Sequence, residues 1–247
     1  MSTLDMPARN GFSLLKRAAL VFALLAPTAA WAAESTAVTS PRVTATLLSS
    51  RDAVAPGERF HLALAQKITA GWHTYWRNPG DSGEPTKIDW QLPEGATAGP
   101  IQWPAPKAIA FEPLVNFGFD GTVLLPVEIS VPAEAKPGER FAITAKATWL
   151  VCEKICIPEE GVLSLDLPIA AEPVIDSAAQ ARIERTLAGL PQEAPFRAKL
   201  TANGPDKMTL AIPELPAGIS ELRYFPLSDT LIEHAAAQQV EGGTLTL

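Results

Sequence analysis

RFAITAKATWLVCEKICIP, residues 140–158, alternates over its first ten positions, Ala142 apart, and then has to turn. Phe141, Ile143, Ala145, Ala147 and Trp149 fall on one face, and Arg140, Thr144, Lys146 and Thr148 on the other. That period of two is the mark of a strand with one buried and one wet side. The chain's two cysteines, Cys152 and Cys156, follow with Glu153, Lys154 and Ile155 between them. Residues four apart on an extended strand lie about 13 Å from each other, whereas bridged Cα atoms must come within about 7 Å. A bond between these thiols therefore requires a tight connection at 153–155. Cys152 then ends one strand and Cys156 starts the returning segment, with Pro158 limiting further pairing. The pair is expected at one tip of the fold.

The same texture recurs on both sides. RVTATLLSS (42–50), RFHLALAQKI (59–68), TVLLPVEISV (122–131) and GVLSLDLPI (161–169) are strand-like runs set between Pro/Gly turns, in a chain with 23 prolines. The pattern predicts an all-β sandwich of short antiparallel strands. PGERF occurs in both APGERFHLAL (55–64) and KPGERFAITA (136–145), a Pro-Gly turn feeding a strand each time; it reads as a reused turn, not a repeated domain. After Ile169 the composition changes. AAEPVIDSAAQARIERTLAGLP (170–191) predicts a linker helix starting at Ile175 or Asp176, with Ile183 and Leu187 on one face. FRAKLTA, KMTLAIP, ELRYFP and GTLTL then renew the strand pattern. The expected layout is a sandwich over 34–170, the linker helix over 171–191 and a second, smaller β domain over 192–247. Leu247 falls within a strand-like run, which is what truncation of a longer protein would leave.

Residues 1–32 read as a signal peptide. Arg9, Lys16 and Arg17 precede the apolar run 18–26, and Ala30-Trp31-Ala32 supplies small residues for cleavage. The run is about half the roughly 20 residues a spanning helix needs, and Pro27 interrupts it. About 215 residues remain, and no later stretch in them is long and apolar enough to span a bilayer. A net charge of −7 and a pI near 5.1 argue against a nucleic-acid partner.

In an exported chain, two cysteines first suggest a structural bridge. Closing a loop of about five residues contributes about 2 kcal/mol, against about 5 for a loop of roughly 100, so this bond is a poor staple. A short bridge at a tip is the labile kind suited to exchange. Two rival readings remain open on these residues: a stapled hairpin in a structural sandwich, and a soft-metal or copper-binding module using two thiolates. Met208 is the one methionine beyond the leader, and His61, His73 and His234 do not adjoin the pair in sequence. No helix follows the cysteines to activate them as in thioredoxin-like Cys-x-x-Cys sites. In GWHTYWRNPGDSG (71–83), Trp72, Tyr75 and Trp76 read as core or rim aromatics. His73 is a candidate proton carrier, and Asp81 and Glu84, like it, could assist proton transfer if near the thiols.

WLVCEKICIPEEG, together with GWHTYWRNPGDSG and GFDGTVLLPVEI (118–129), resembles the N-terminal periplasmic domain of the DsbD-type transmembrane thiol:disulfide reductases. It is most like the branch called suppressor of copper sensitivity protein B, over roughly residues 40–170. The resemblance implies an immunoglobulin-like sandwich in the periplasm of a protein anchored in the inner membrane. Such a domain takes electrons from a membrane-embedded domain of the same polypeptide and reduces thioredoxin-fold partners, with no bound cofactor or metal. Cys152 and Cys156 match the redox pair, and the family's use of its second cysteine for mixed disulfides points to Cys156. DsbD itself has five residues between its thiols, not three. The family also shields its disulfide with an aromatic cap loop. In AIAFEPLVNFGFDG (108–121) that implies Phe111 first and Phe117 second, with core packing the alternative for at least one of them.

Overall fold

A computed structural model describes residues 33–194, 197–204, 207–213, 219, 222–241 and 243–247. The expected leader, 1–32, lies outside the described residues. The chain begins with β1 (Val38–Thr39), β2 (Val43–Ser49), β3 (Arg51–Ala53), β4 (Arg59–Ile68), β5 (Thr74–Gly80) and β6 (Lys87–Gln91). It continues through β7 (Thr97–Ala98), β8 (Lys107–Phe111), β9 (Leu114–Phe119), β10 (Thr122–Ser130), β11 (Arg140–Cys152), β12 (Cys156–Pro168) and β13 (Val174–Ile175). Helix α1 (Ser177–Ala188) precedes β14 (Lys199–Ala202), β15 (Met208–Ala211), β16 (Gln239–Glu241) and β17 (Thr244–Thr246).

The sandwich has one layer in the order β1-β2-β4-β10-β7 and another in the order β12-β11-β6. Alternation in each strand sends one set of side chains inward. Leu47, Leu62, Leu64 and Leu125 from the first layer share a core with Phe141, Ile143, Ala145 and Leu165 from the second. Each large apolar side chain buried in this way contributes roughly 1.5–3 kcal/mol, so this shared core is what joins the layers. Ala63 and Ala65 of β4 face outward but are also covered, because Ala179 and Ile183 of α1 pack on them and on Leu48. The expected linker helix is therefore seated on the sandwich. Its start is set by Asp176, whose carboxylate accepts from the Ala178 and Ala179 N–H groups at 2.9 Å, a cap contributing about 1 kcal/mol.

The β11–β12 hairpin runs in register from Arg140↔Pro168 to Cys152↔Cys156. Pro158 does not limit the pairing as expected: Leu150↔Pro158 lies within the ladder. The reason is position, since β12 has β11 on one side and an open edge on the other, where a missing N–H leaves no sheet partner wanting.

Two segments without a clear period become strands. β5, β9 and β8 form a third sheet, in the order β5-β9-β8, at the cysteine end. The C-terminal strands make a separate sheet, β14-β15-β17-β16. Among the described residues no helix is long and apolar enough to cross a membrane.

Candidate functional site

The site is built where the β11–β12 hairpin meets β5. Cys152 closes β11 and Cys156 opens β12, and their sulfurs are bonded at 2.06 Å with Cα atoms 4.2 Å apart. The exposure of the two is unequal. Cys152 is 0% exposed, Cys156 is half-buried, and Ile155 beside it is 60% exposed. His73, just before β5, is tied to Cys152 through the backbone: its N–H donates to the Cys152 carbonyl at 2.9 Å and its carbonyl accepts from the Cys152 N–H at 3.0 Å. This bridge fixes β5 alongside the disulfide.

Two residues on, Tyr75 points the same way as His73, as strand alternation requires. Its hydroxyl donates to the Cys152 sulfur at 2.7 Å and lies 3.5 Å from that of Cys156. Asn116 of β9 holds this arrangement from behind. Its amide donates to the Tyr75 oxygen at 3.3 Å and to His73 Nε2 at 3.1 Å, while its carbonyl accepts from Ser82 Oγ at 2.8 Å. Gly83 lets the loop after β5 close on the tyrosine: its φ is +99°, and a Cβ there would fall 2.2 Å from the Tyr75 ring. Burial pushes the Tyr75 hydroxyl up to about 12, against a smaller downward effect of Ser82. Burial likewise pushes His73 below its ordinary value, partly offset by Asp120. Near neutral pH the site thus offers a protonated phenol donor on sulfur, with a neutral imidazole behind it on the Asn116 amide.

The β8–β9 register sorts the two phenylalanines. Ile109↔Asn116 and Phe111↔Leu114 pair across the hairpin, so Phe111 shares a face with Asn116, while Phe117 lies on the other. The half-buried Phe111 ring stands edge-on to His73 at 6.3 Å. Phe117 is 0% exposed and belongs to the sandwich core. Asp81 bonds to His234 Nδ1 at 2.9 Å and accepts from the Val115 N–H at 2.7 Å; Glu84 pairs with Lys87 at 3.0 Å. Their contacts lead away from the sulfurs. Trp76 is a core residue, and Trp72 lies under the Arg42 guanidinium at 4.6 Å. Sequence reasoning does not single out Asn116, Ser82 or Gly83. The available signal is a lone Asn inside the apolar run LVNFGF, since a polar residue at a buried strand position needs partners.

The family model for the N-terminal part of the thiol:disulfide interchange protein DsbD matches residues 44–168, from β2 to the end of β12. Among solved structures, the N-terminal periplasmic domain of ScsB from Proteus mirabilis is similar at 19% identity and a TM-score of 0.55, covering 74% of this chain and 69% of that one. At that identity the likeness speaks to the fold. The yeast GGA1 GAE domain aligns over 52% of this chain and 94% of that one, at 12% identity and a TM-score of 0.32, too loosely to carry an argument. No curated protein sequence matches the chain.

Proposed function

This chain belongs to the family of the DsbD N-terminal domain, a thiol:disulfide interchange family, and from that premise we propose that it is a periplasmic relay of the ScsB branch. In this reading Cys152 and Cys156 receive electrons from a membrane-embedded domain of the full-length protein and reduce disulfides of thioredoxin-fold partners. The observation that carries it is the division of labour at the bridge: a partly exposed Cys156, and a buried Cys152 receiving the Tyr75 hydroxyl.

The chemistry balances as two exchanges. Reduced Cys156, as thiolate, attacks a partner disulfide; one partner thiolate leaves and a mixed disulfide forms. The Cys152 thiolate then attacks the Cys156 sulfur, the second partner thiolate leaves, and the Cys152–Cys156 bond closes. Two electrons pass to the partner, and solvent protons complete its two thiols. Reloading runs the other way: a thiolate of the membrane domain attacks Cys156 and Cys152 departs as a thiolate. A second thiolate of that domain then attacks its own sulfur in the mixed disulfide, Cys156 departs as a thiolate and the membrane domain is left as a disulfide. A hydrogen bond from the Tyr75 hydroxyl stabilises the charged form of Cys152 and so favours its departure. Phe111 is the cap that limits access to Cys156, as its place beside His73 on the Asn116 face supports.

Equilibration in glutathione buffers, followed by trapping with an oxidised thioredoxin-fold protein, tests the reading. The pair should titrate reversibly, Cys152→Ser should accumulate a mixed disulfide through Cys156, and Cys156→Ser should not. A pair that stays oxidised across the whole glutathione range is a staple. Stoichiometric Cu(I) uptake without mixed disulfide would instead support the copper-binding reading.

A further inference from the structure

β5 and β9 pair at Thr74↔Phe119 and Tyr75↔Gly118, and again at Gly80↔Asn116. While β5 runs from Tyr75 to Gly80, β9 advances only from Gly118 to Asn116, so Trp76–Pro79 leave the ladder as a bulge. Bulges re-aim side chains, and this one begins immediately after the tyrosine that holds Cys152. Its own strand closes it only in part, the Gly80 N–H donating to Asn78 Oδ1 at 3.0 Å. The Asn78 side chain is buried, and its amide donates to the Pro226 carbonyl at 2.8 Å and the Ser228 carbonyl at 3.4 Å. Trp76 meets the Phe225 ring edge-on at 6.4 Å, and Phe225 stands against Phe117 at 5.0 Å. His234 packs on Phe117 from 5.0 Å and bonds to Asp81, which is itself fastened to β9 through Val115. Chain neighbours on opposite faces are thus used in pairs: Tyr75 and Asn116 face the sulfur, Trp76 and Phe117 face the C-terminal segment.

We propose that the segment Tyr224–His234 is a positioning element for the dithiol, filling the back of the β5 bulge so that the Tyr75 hydroxyl stays aligned on the Cys152 sulfur. The proposal rests on the relay reading for its purpose and on this packing for its mechanism. Hydrogen bonds weaken steeply with misalignment. Without Phe225 and the Pro226 and Ser228 carbonyls, Trp76 loses one ring it packs on and the Asn78 amide loses its acceptors, and β5 can shift its register beside Cys152. Tyr75 then donates less well to a Cys152 thiolate.

The test uses the full chain in a Cys156→Ser background, where Cys152 is the one remaining thiol, reduced with a strong reductant. Thiolate ultraviolet absorbance against pH and thermal unfolding are recorded for Phe225→Ala, Tyr75→Phe and the double variant. Tyr75→Phe should move the thiolate titration to higher pH, with on the order of tenfold less thiolate at a given pH below the midpoint. Phe225→Ala should move it the same way by a smaller factor, and the double variant should match Tyr75→Phe alone. Should Phe225→Ala not fold, Asn78→Ala takes its place in the same comparison. A lower melting temperature with an unmoved titration would make the segment merely structural and overturn the proposal. So would additive shifts in the double variant, or an unmoved Tyr75→Phe titration, which leaves the segment nothing to act through. Failure of the relay is read separately, from the glutathione equilibration of the parent protein.

Discussion

With its hydroxyl pushed up to about 12 from an ordinary 10.0, Tyr75 keeps its proton wherever thiols exchange, so it can donate to sulfur but not accept a proton from it. Its contribution to stability is present below the unfolded value and lost as pH rises through the folded one. His73 has the opposite sign. Burial holds it below 6.5, so it contributes stability above that pH, and the contribution is lost as pH falls through the lowered folded value. Burial lowers His61 in the same direction, with Glu128 raising it and Arg51 lowering it. Thermal unfolding between pH 7.5 and 5 should therefore lose stability on acidification, and His73→Gln should flatten that slope while leaving a residue from His61. An unchanged slope would mean that His73 is not held neutral. Neither role is legible in GWHTYW. Aromatic residue types there signal burial, but the partner of Tyr75 is fixed by a hairpin tip 77 positions later in the chain.

At the scale of elements, legibility follows periodicity. The runs that become β2, β4, β10 and β11 can be placed because an apolar residue recurs at nearly every second position, and the three-residue connection follows from the reach of a disulfide. β5, β8 and β9 read as loops, because Pro79, Gly80, Pro113 and Gly118 break the pattern and the bulge removes Trp76–Pro79 from any period. The same parity separates the two phenylalanines, which a sequence window cannot do without the register. Phe111→Ala should therefore leave the melting temperature close to the parent's and speed reaction of the disulfide with small thiols several-fold. Phe117→Ala should instead cost about 3–5 kcal/mol, as cavities left by a fully buried ring do. Unchanged kinetics in Phe111→Ala would remove the cap. Little destabilisation in Phe117→Ala would contradict its place in the core.

For the whole molecule, the question is whether the C-terminal sheet is a domain or an extension. The described residues, from Ala33 to Leu247, all fall within one compact unit. Among the described residues no strand of the C-terminal sheet pairs with the sandwich, whose own core is drawn from residues 43–169. Phe225 joins that core as a partly buried neighbour, and Ile212, Pro226 and Leu245 are the buried apolar residues described between 199 and 247. Between the helix and β14, Gln192, Glu193, Ala194 and Arg197 are all exposed. Exposed backbone without ladder bonds is where proteases cut first. The sandwich can lose the residues beyond this link and keep its core, whereas the C-terminal sheet has little to fold around by itself. Limited trypsin digestion should accordingly cut first at Arg197 or close to it, leaving a resistant N-terminal fragment with the Cys152–Cys156 bridge intact and its own cooperative unfolding transition. The C-terminal piece should be degraded soon after its release, since the buried apolar residues described in it, Ile212, Pro226 and Leu245, leave it little core of its own. First cuts within 43–169, or a fragment that unfolds as soon as the link is cleaved, would show instead that the two parts share one folding unit, and the division near residue 192 would fall.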